Sequence, residues 1–190
     1  MASNAAQAPH TEVVLTVVDL SALPDDADRH DLIRGALIRM APAAAKHGKC
    51  AMRFGCRLDG YVTRHRLGTV FAAETGFVLA RDPDTVLAPD VAFVRADRLP
   101  PEEEWGGYLA LAPDLVVEGL SPSDTASAVL DKVLFYLDTG ARLVVTLDPI
   151  RQIAIVYGPN RLGSILRLDD TFDGGDVVPG FRLPLGDLFA

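Results

Sequence analysis

Residues 115–147 read LVVEGLSPSDTASAVLDKVLFYLDTGARLVVTL. Two short apolar runs, Leu115–Leu120 and Ala141–Leu147, flank a segment of helical periodicity. A short apolar run bounded by turn residues suits a strand buried on both faces. Between them, Ser121-Pro122-Ser123-Asp124 offers several N-cap candidates. The helix expected from about Thr125 to Thr139 carries Ala126, Val129, Leu130, Val133, Leu134 and Leu137 on one face, and Gly140 is placed to close it. A strand–helix–strand crossover of this kind makes its two strands parallel.

Further strands are expected on either side, at Thr69–Ala73, Gly76–Ala80, Pro89–Val94, Gln152–Tyr157 and Ser164–Leu168. Asp82-Pro83-Asp84 reads as a turn, and Pro100–Gly107 as a polar loop holding the only tryptophan, Trp105. Near the start, Val13–Leu20 is apolar. Leu23-Pro24-Asp25-Asp26 reads as a turn opening a short helix that ends near Gly35. Ala36–Met40 reads as a strand stopped by Pro42. From about Ala44 to Arg66, the spacing of Ala51, Phe54, Leu58, Tyr61 and Val62 predicts a long helix ended by Gly68. The class is α/β (α+β), a mixed central sheet flanked by helices.

At 190 residues and 49% hydrophobic, the chain suits one well-buried domain, expected over 13–190. The small, polar residues 1–12 read as a disordered N-terminal tail without the features of a secretory signal. No window holds the roughly 18 unbroken apolar residues of a membrane span. Cys50 and Cys56 lack the second pair a zinc site needs, which fits free thiols in a reducing cytoplasm.

The net charge of −8 argues at first against nucleic acid. Its distribution argues otherwise. Residues 29–66 hold nine of the eighteen Lys and Arg against two acids, Asp31 and Asp59, a local charge of +7 that leaves −15 on the rest. An anion-binding face on an acidic body would look like this, and so would a solvated helix face. On the long helix, Lys46, Lys49, Arg53, Arg57 and Arg64 cluster sideways, where they could track a phosphate backbone. His47 falls on the apolar side near Phe54 and Leu58, as would an ordinary hydrogen-bonded core histidine. His65, at the frayed end, is given no role.

Glu118 is the anomaly inside its apolar run. A buried carboxylate must be met by a cation, a metal or a proton, and a structural ion pair or an exposed strand end would also serve. Asp90 follows Pro89 and opens Val91-Ala92-Phe93-Val94, a position that an ordinary turn would also explain. If the two strands are neighbours, both carboxylates can converge on one hard cation. Lys132 points about 130° from the centre of the apolar stripe, at the flank of its helix, where most lysines are simply solvated. Glu74, between two expected strands, could join the acidic group or be a solvated turn acid.

The segments ETGFVL, PDVAFV, PDLVVEGLSPSDTASAVLDKVLFYLDTGARLVVTLDP and DGGDVVPGFRLPLGDLF resemble the Uma-two family of the PD-(D/E)xK nuclease superfamily, over about Leu20 to Phe189. The resemblance implies a restriction-endonuclease-like core and a homodimer. It implies Asp90 as the PD aspartate, Glu118 as the strand glutamate and Lys132 as a lysine moved onto the following helix, since Leu120 holds the usual lysine position. It also matches His47 and Glu74 to the family's histidine and paired-strand acid. Two positions depart: Gly119 stands where members often carry valine, and Ala36 where they often carry glutamate.

The implied activity is a metal-dependent endonuclease cleaving nucleic acid, most simply DNA. Mg2+ or Mn2+ would be held by Asp90, Glu118, the Gly119 carbonyl and Glu74. Lys132 and His47 would assist, and Lys46, Lys49, Arg53 and Arg57 would contact phosphates. Two rivals remain open: a nuclease scaffold without catalysis that serves as an interaction or regulatory module, and a hydrolase of another phosphoester. No base-reading motif is visible in the chain.

Overall fold

The computed structural model describes residues 13–24 and 29–190, so the expectation for residues 1–12 lies outside it. Its largest layer is a six-stranded sheet. In chain order its members are β3 (Gly68–Ala72), β6 (Val91–Arg95), β7 (Leu115–Gly119), β8 (Leu143–Asp148), β9 (Ile153–Tyr157) and β10 (Gly163–Leu166), and across the sheet they run β10-β9-β8-β7-β6-β3. The expected parallel pair is β7 with β8, and the remaining pairs are antiparallel, so the sheet is mixed.

A second sheet runs β2-β1-β5-β4, from β1 (Arg29–Ile33), β2 (Ala36–Met40), β4 (Phe77–Ala80) and β5 (Thr85–Leu87). The hairpin of β1 and β2 replaces the short helix expected up to Gly35. In β1 the acid Asp31 is buried within an otherwise mixed strand, so the segment shows neither a clean helical stripe nor a clean alternation. Further short elements were not expected: β5, the paired strands β11 (Thr171–Asp173) and β12 (Arg182–Pro184), and the terminal helix α4 (Leu185–Phe189). An opening helix, α1, spans Val17–Ser21, and Thr16 and Asp19 cap it reciprocally.

The long helix α2 (Ala45–His65) covers one face of the large sheet. Phe54, Leu58 and Val62 pack there against Val91, Phe93, Leu115, Val117, Val145 and Leu147, and α4 adds Leu185, Leu188 and Phe189. Burial of such side chains stabilises by about 1.5–3 kcal/mol each. The helix ends at Arg66, which takes the left-handed cap conformation (φ 55°). Gly68 instead opens β3, where a Cβ would stand 2.0 Å from the Val94 carbonyl oxygen.

The opposite face is covered by α3 (Ala126–Asp138), capped by the Thr125 hydroxyl, which accepts from the Ala128 N–H. Val133 and Tyr136 are buried against Val116, Val144 and Leu87. The expected apolar face is therefore rotated: Leu130 is 45% exposed, while Lys132 turns inward. Among the described residues, no helix is long and apolar enough to cross a membrane.

Candidate active site

In the β6–β7 ladder, Val91 faces Val117. One rung further along that register sets Asp90, just before β6, beside Glu118 at the end of β7. Asp90 is buried, and its Oδ2 accepts the Gly119 N–H at 2.8 Å and lies 2.7 Å from Nε2 of His47 in the first turn of α2. Histidine thus faces the protein interior, as its helical position predicts. Gly119 makes this approach possible, because a Cβ there would lie 2.8 Å from Cε1 and Nε2 of the imidazole.

Glu118 points to the α3 side. Its Oε1 lies 2.8 Å from Nζ of Lys132 and accepts the Tyr136 hydroxyl at 2.8 Å. Lys132 also lies 3.5 Å from Oδ2 of Asp31, whose other oxygen accepts the Ala88 N–H at 3.2 Å. A Lys on the flank of a helix thus becomes the cation between two acids from different sheets. Arg29 completes the group: its Nη1 lies 3.8 Å from Oδ1 of Asp90, and it also donates to the Ala88 carbonyl.

Charge at the site follows from this packing. Burial pushes Asp90 up, but the His47 and Gly119 hydrogen bonds, with His47 and Arg29 charges, hold it below the ordinary carboxylate range. The Asp90 hydrogen bond lifts His47 above the usual histidine value, against the effect of burial and with help from the charges of Asp90, Glu118 and Asp124. Burial raises Glu118, only partly offset by Lys132. For Lys132, burial works downward, and Glu118 and Asp31 outweigh it, so the ammonium stays protonated above its ordinary range. Burial, then Glu118, raises Tyr136 well above its normal value, which keeps it a donor.

Asp90, Glu118, Lys132, His47 and Gly119 are therefore brought together. Glu74 is not part of that cluster: it is exposed, in the β3–β4 turn at φ 74°, and lines a cleft that Asp90 also lines. Among the described residues, no three His, Cys, Asp or Glu side chains are gathered as a ready cation cage. Three of the four expected phosphate contacts already engage the end of the chain. Lys49 donates to the Ala190 main-chain oxygen at 2.8 Å. Arg53 donates to the same oxygen and to that of Leu188, and Arg57 lies 3.8 Å from Asp187. Lys46 is exposed.

Sequence reasoning missed Asp31, Arg29 and Tyr136. Asp31 carried one signal, an acid directly before the apolar pair Leu32-Ile33, but the helical reading of that segment concealed it. Tyr136 lies one turn after Lys132 on the same helix, and its hydroxyl gave no sign of its partner.

The sequence matches the Uma2 family, described as "Putative restriction endonuclease", over residues 17–186. Among solved structures it resembles one described as "a putative nuclease belonging to DUF820" from Anabaena variabilis ATCC 29413. That likeness has a TM-score of 0.78 at 24% identity and covers 92% of this chain and 97% of the other. At that identity it shows the shared nuclease-type fold. No curated protein matches the sequence significantly. With the match spanning nearly the whole chain, this protein belongs to the Uma2 family.

Proposed function

We propose that the protein hydrolyses phosphodiester bonds of nucleic acid, with DNA the simplest substrate, at a centre formed by Asp90, Glu118 and Lys132. The observation that carries this reading is the Lys132 ammonium held 2.8 Å from Glu118, beside Asp90, by three separate stretches of chain. Glu118 and Lys132 pair although the lysine is not in the strand, and the β6–β7 register runs on to Asp90 beside Glu118.

The donor set suits a hard divalent cation such as Mg2+ or Mn2+. Asp90 Oδ1 meets only Arg29, at 3.8 Å, and among the described residues Oε2 of Glu118 accepts no hydrogen bond. An ion of this type needs one or two carboxylates and otherwise keeps its waters. Asp90, Glu118 and the Gly119 carbonyl would hold it, and it would supply activation of water and neutralisation of phosphate charge. Lys132, fixed and protonated, would stabilise negative charge developing at phosphorus. His47 and the Gly119 N–H orient Asp90, and Arg29 supplies a cation on the open side. Lys46, on the exposed first turn of α2, is the best placed of the helix cations for a flanking phosphate.

The test is cleavage of plasmid DNA with Mg2+ or Mn2+. Asp90→Ala and Glu118→Gln should each reduce nicking at least about a hundredfold while remaining folded. Wild-type cutting by both would remove the assignment. A second reading, a nuclease scaffold serving as a binding module, is favoured by one feature: His47 and Gly119 already occupy Oδ2 of Asp90. Titration calorimetry separates the two, since the module predicts no Mn2+ binding that depends on Asp90 and Glu118. Homodimerisation in the cytoplasm completes the proposal, with Leu130 and Ile150 as exposed apolar contacts on the α3 side.

A further inference from the structure

Asp90 and His47 stand at one end of a cleft of about 600 Å³, within the range of roughly 300–1,000 Å³ found for small-molecule sites. The cleft runs between the chain after β2, the outer face of α2 and the β3 edge of the large sheet. Its two ends differ in chemistry. At the inner end Arg29 stands next to His47, with its Nη1 3.8 Å from Asp90 and its Nη2 donating to the Ala88 carbonyl, and among the described residues its buried Nε has no hydrogen-bond partner. Along the middle the lining is apolar and small, with Ala51, Met52 and Val70. At the outer end, twelve residues along α2 from His47, Asp59 provides a carboxylate, which only accepts hydrogen bonds when ionised, whereas Glu74, two residues past the Ala72–Val91 pair, lies on the Asp90 side.

One wall of the opening carries a glycine of α2. Gly48 lines the cleft, and a Cβ built on it meets nothing within 4 Å. A helix interior normally disfavours glycine by about 1 kcal/mol relative to alanine. Here the missing side chain leaves room beside the catalytic aspartate.

We propose that this cleft receives an unstacked nucleobase of the substrate strand, with the adjoining phosphate drawn to Arg29 and His47. The proposal rests on the nuclease reading and deepens it. A phosphate alone would not need apolar walls, and an apolar ligand alone would not need a guanidinium and an imidazole at one end. A nucleotide has both halves. The Asp59 carboxylate matches the exocyclic amino groups of adenine, cytosine or guanine. A base paired within a duplex cannot enter a side cleft without leaving its stack, which costs a few kcal/mol. The protein should therefore prefer unpaired strands, cutting them at least about tenfold faster than the same sequence in a duplex.

Cys56 gives a direct readout, because it lines the cleft and is exposed, whereas Cys50 is buried. Alkylation of Cys56 by N-ethylmaleimide is followed by peptide mass spectrometry on the full chain. A short oligodeoxyadenylate should slow it about fivefold or more, and the same strand paired with oligodeoxythymidylate should slow it much less. Gly48→Leu places its side chain in open space, so the fold should persist. It should abolish this protection, measured against its own rate without oligonucleotide. Asp90→Asn should lose cleavage and keep the protection. Equal protection by the duplex, no protection, or unaltered protection in Gly48→Leu would overturn the proposal. If nothing is cleaved but Cys56 is still shielded in a Gly48-dependent way, the cleft stands and the nuclease reading falls. Cleavage without shielding has the reverse meaning.

Discussion

Asp31 and Glu118 hold one ammonium between them, Glu118 at 2.8 Å and Asp31 at 3.5 Å from Lys132 Nζ. Three charges in a desolvated place are tolerable only together, since removing one partner leaves another uncompensated. Asp31 has a second task, because its other oxygen holds the Ala88 N–H two residues before Asp90. It therefore positions both Lys132 and the strand that delivers Asp90, without reaching the reacting atoms itself. Asp31→Asn keeps the shape and removes the charge. It should lower kcat about 10- to 100-fold with a smaller change in KM, and at high pH the Lys132 ammonium should be lost more readily. Kinetics across a pH series would show this, and a variant with an unchanged profile would limit Asp31 to a structural part. Gly119 shows how finely the same site is fitted, as a valine there would force the His47 ring away from Asp90. Asp90, Glu118 and Lys132 were legible because each interrupts or borders an apolar run. Asp31 and Arg29 were not, because their partners come from strand pairing between distant segments.

At the scale of elements, legibility followed length. The crossover from β7 through α3 to β8 could be recognised from one contiguous stretch, and its parallel register is as expected. The three-residue strands β5, β11 and β12 are too short to show alternation, and long-range pairing decides them. In α3 the apolar stripe and the buried stripe differ, because Glu118 draws Lys132 inward and leaves Leu130 outside. In α2 the pattern held, with Phe54, Leu58 and Val62 on the core side. Its exposed face offers a clean test of helix energetics. Gly60 lies mid-helix, and an added Cβ meets no atom within 4 Å. Gly60→Ala should raise stability by about 0.5–1 kcal/mol. Thermal melting should move up by roughly 2–4 °C for a domain of this size, without altering the cleft or the site. A lower Tm would mean that the glycine serves a contact the isolated chain does not make.

Across the whole molecule, the basic segment 29–66 proves less free than its charge of +7 suggests. Arg29 is drawn into the site, and Lys49, Arg53 and Arg57 hold Asp187–Ala190 against α2. The cations thus join distant parts of the fold, and the His47–Asp90 pair does the same between α2 and the sheet. That pair makes stability depend on pH in a definite sense. His47 sits above its ordinary value of 6.5, so its contribution is complete below about that pH and is lost as pH rises through the raised value. Asp90 sits below its ordinary 3.8, so its contribution is present above that value and is lost as pH falls through the depressed one. Both contributions are present together between about pH 4 and 6.5. His47→Gln keeps a polar side chain and removes the titration. Urea midpoints of wild type and variant should differ most near pH 5 and converge as pH rises past the raised His47 value. A difference that stayed constant over that range would show that packing of the ring over Gly119, and not its charge beside Asp90, ties the helix to the sheet.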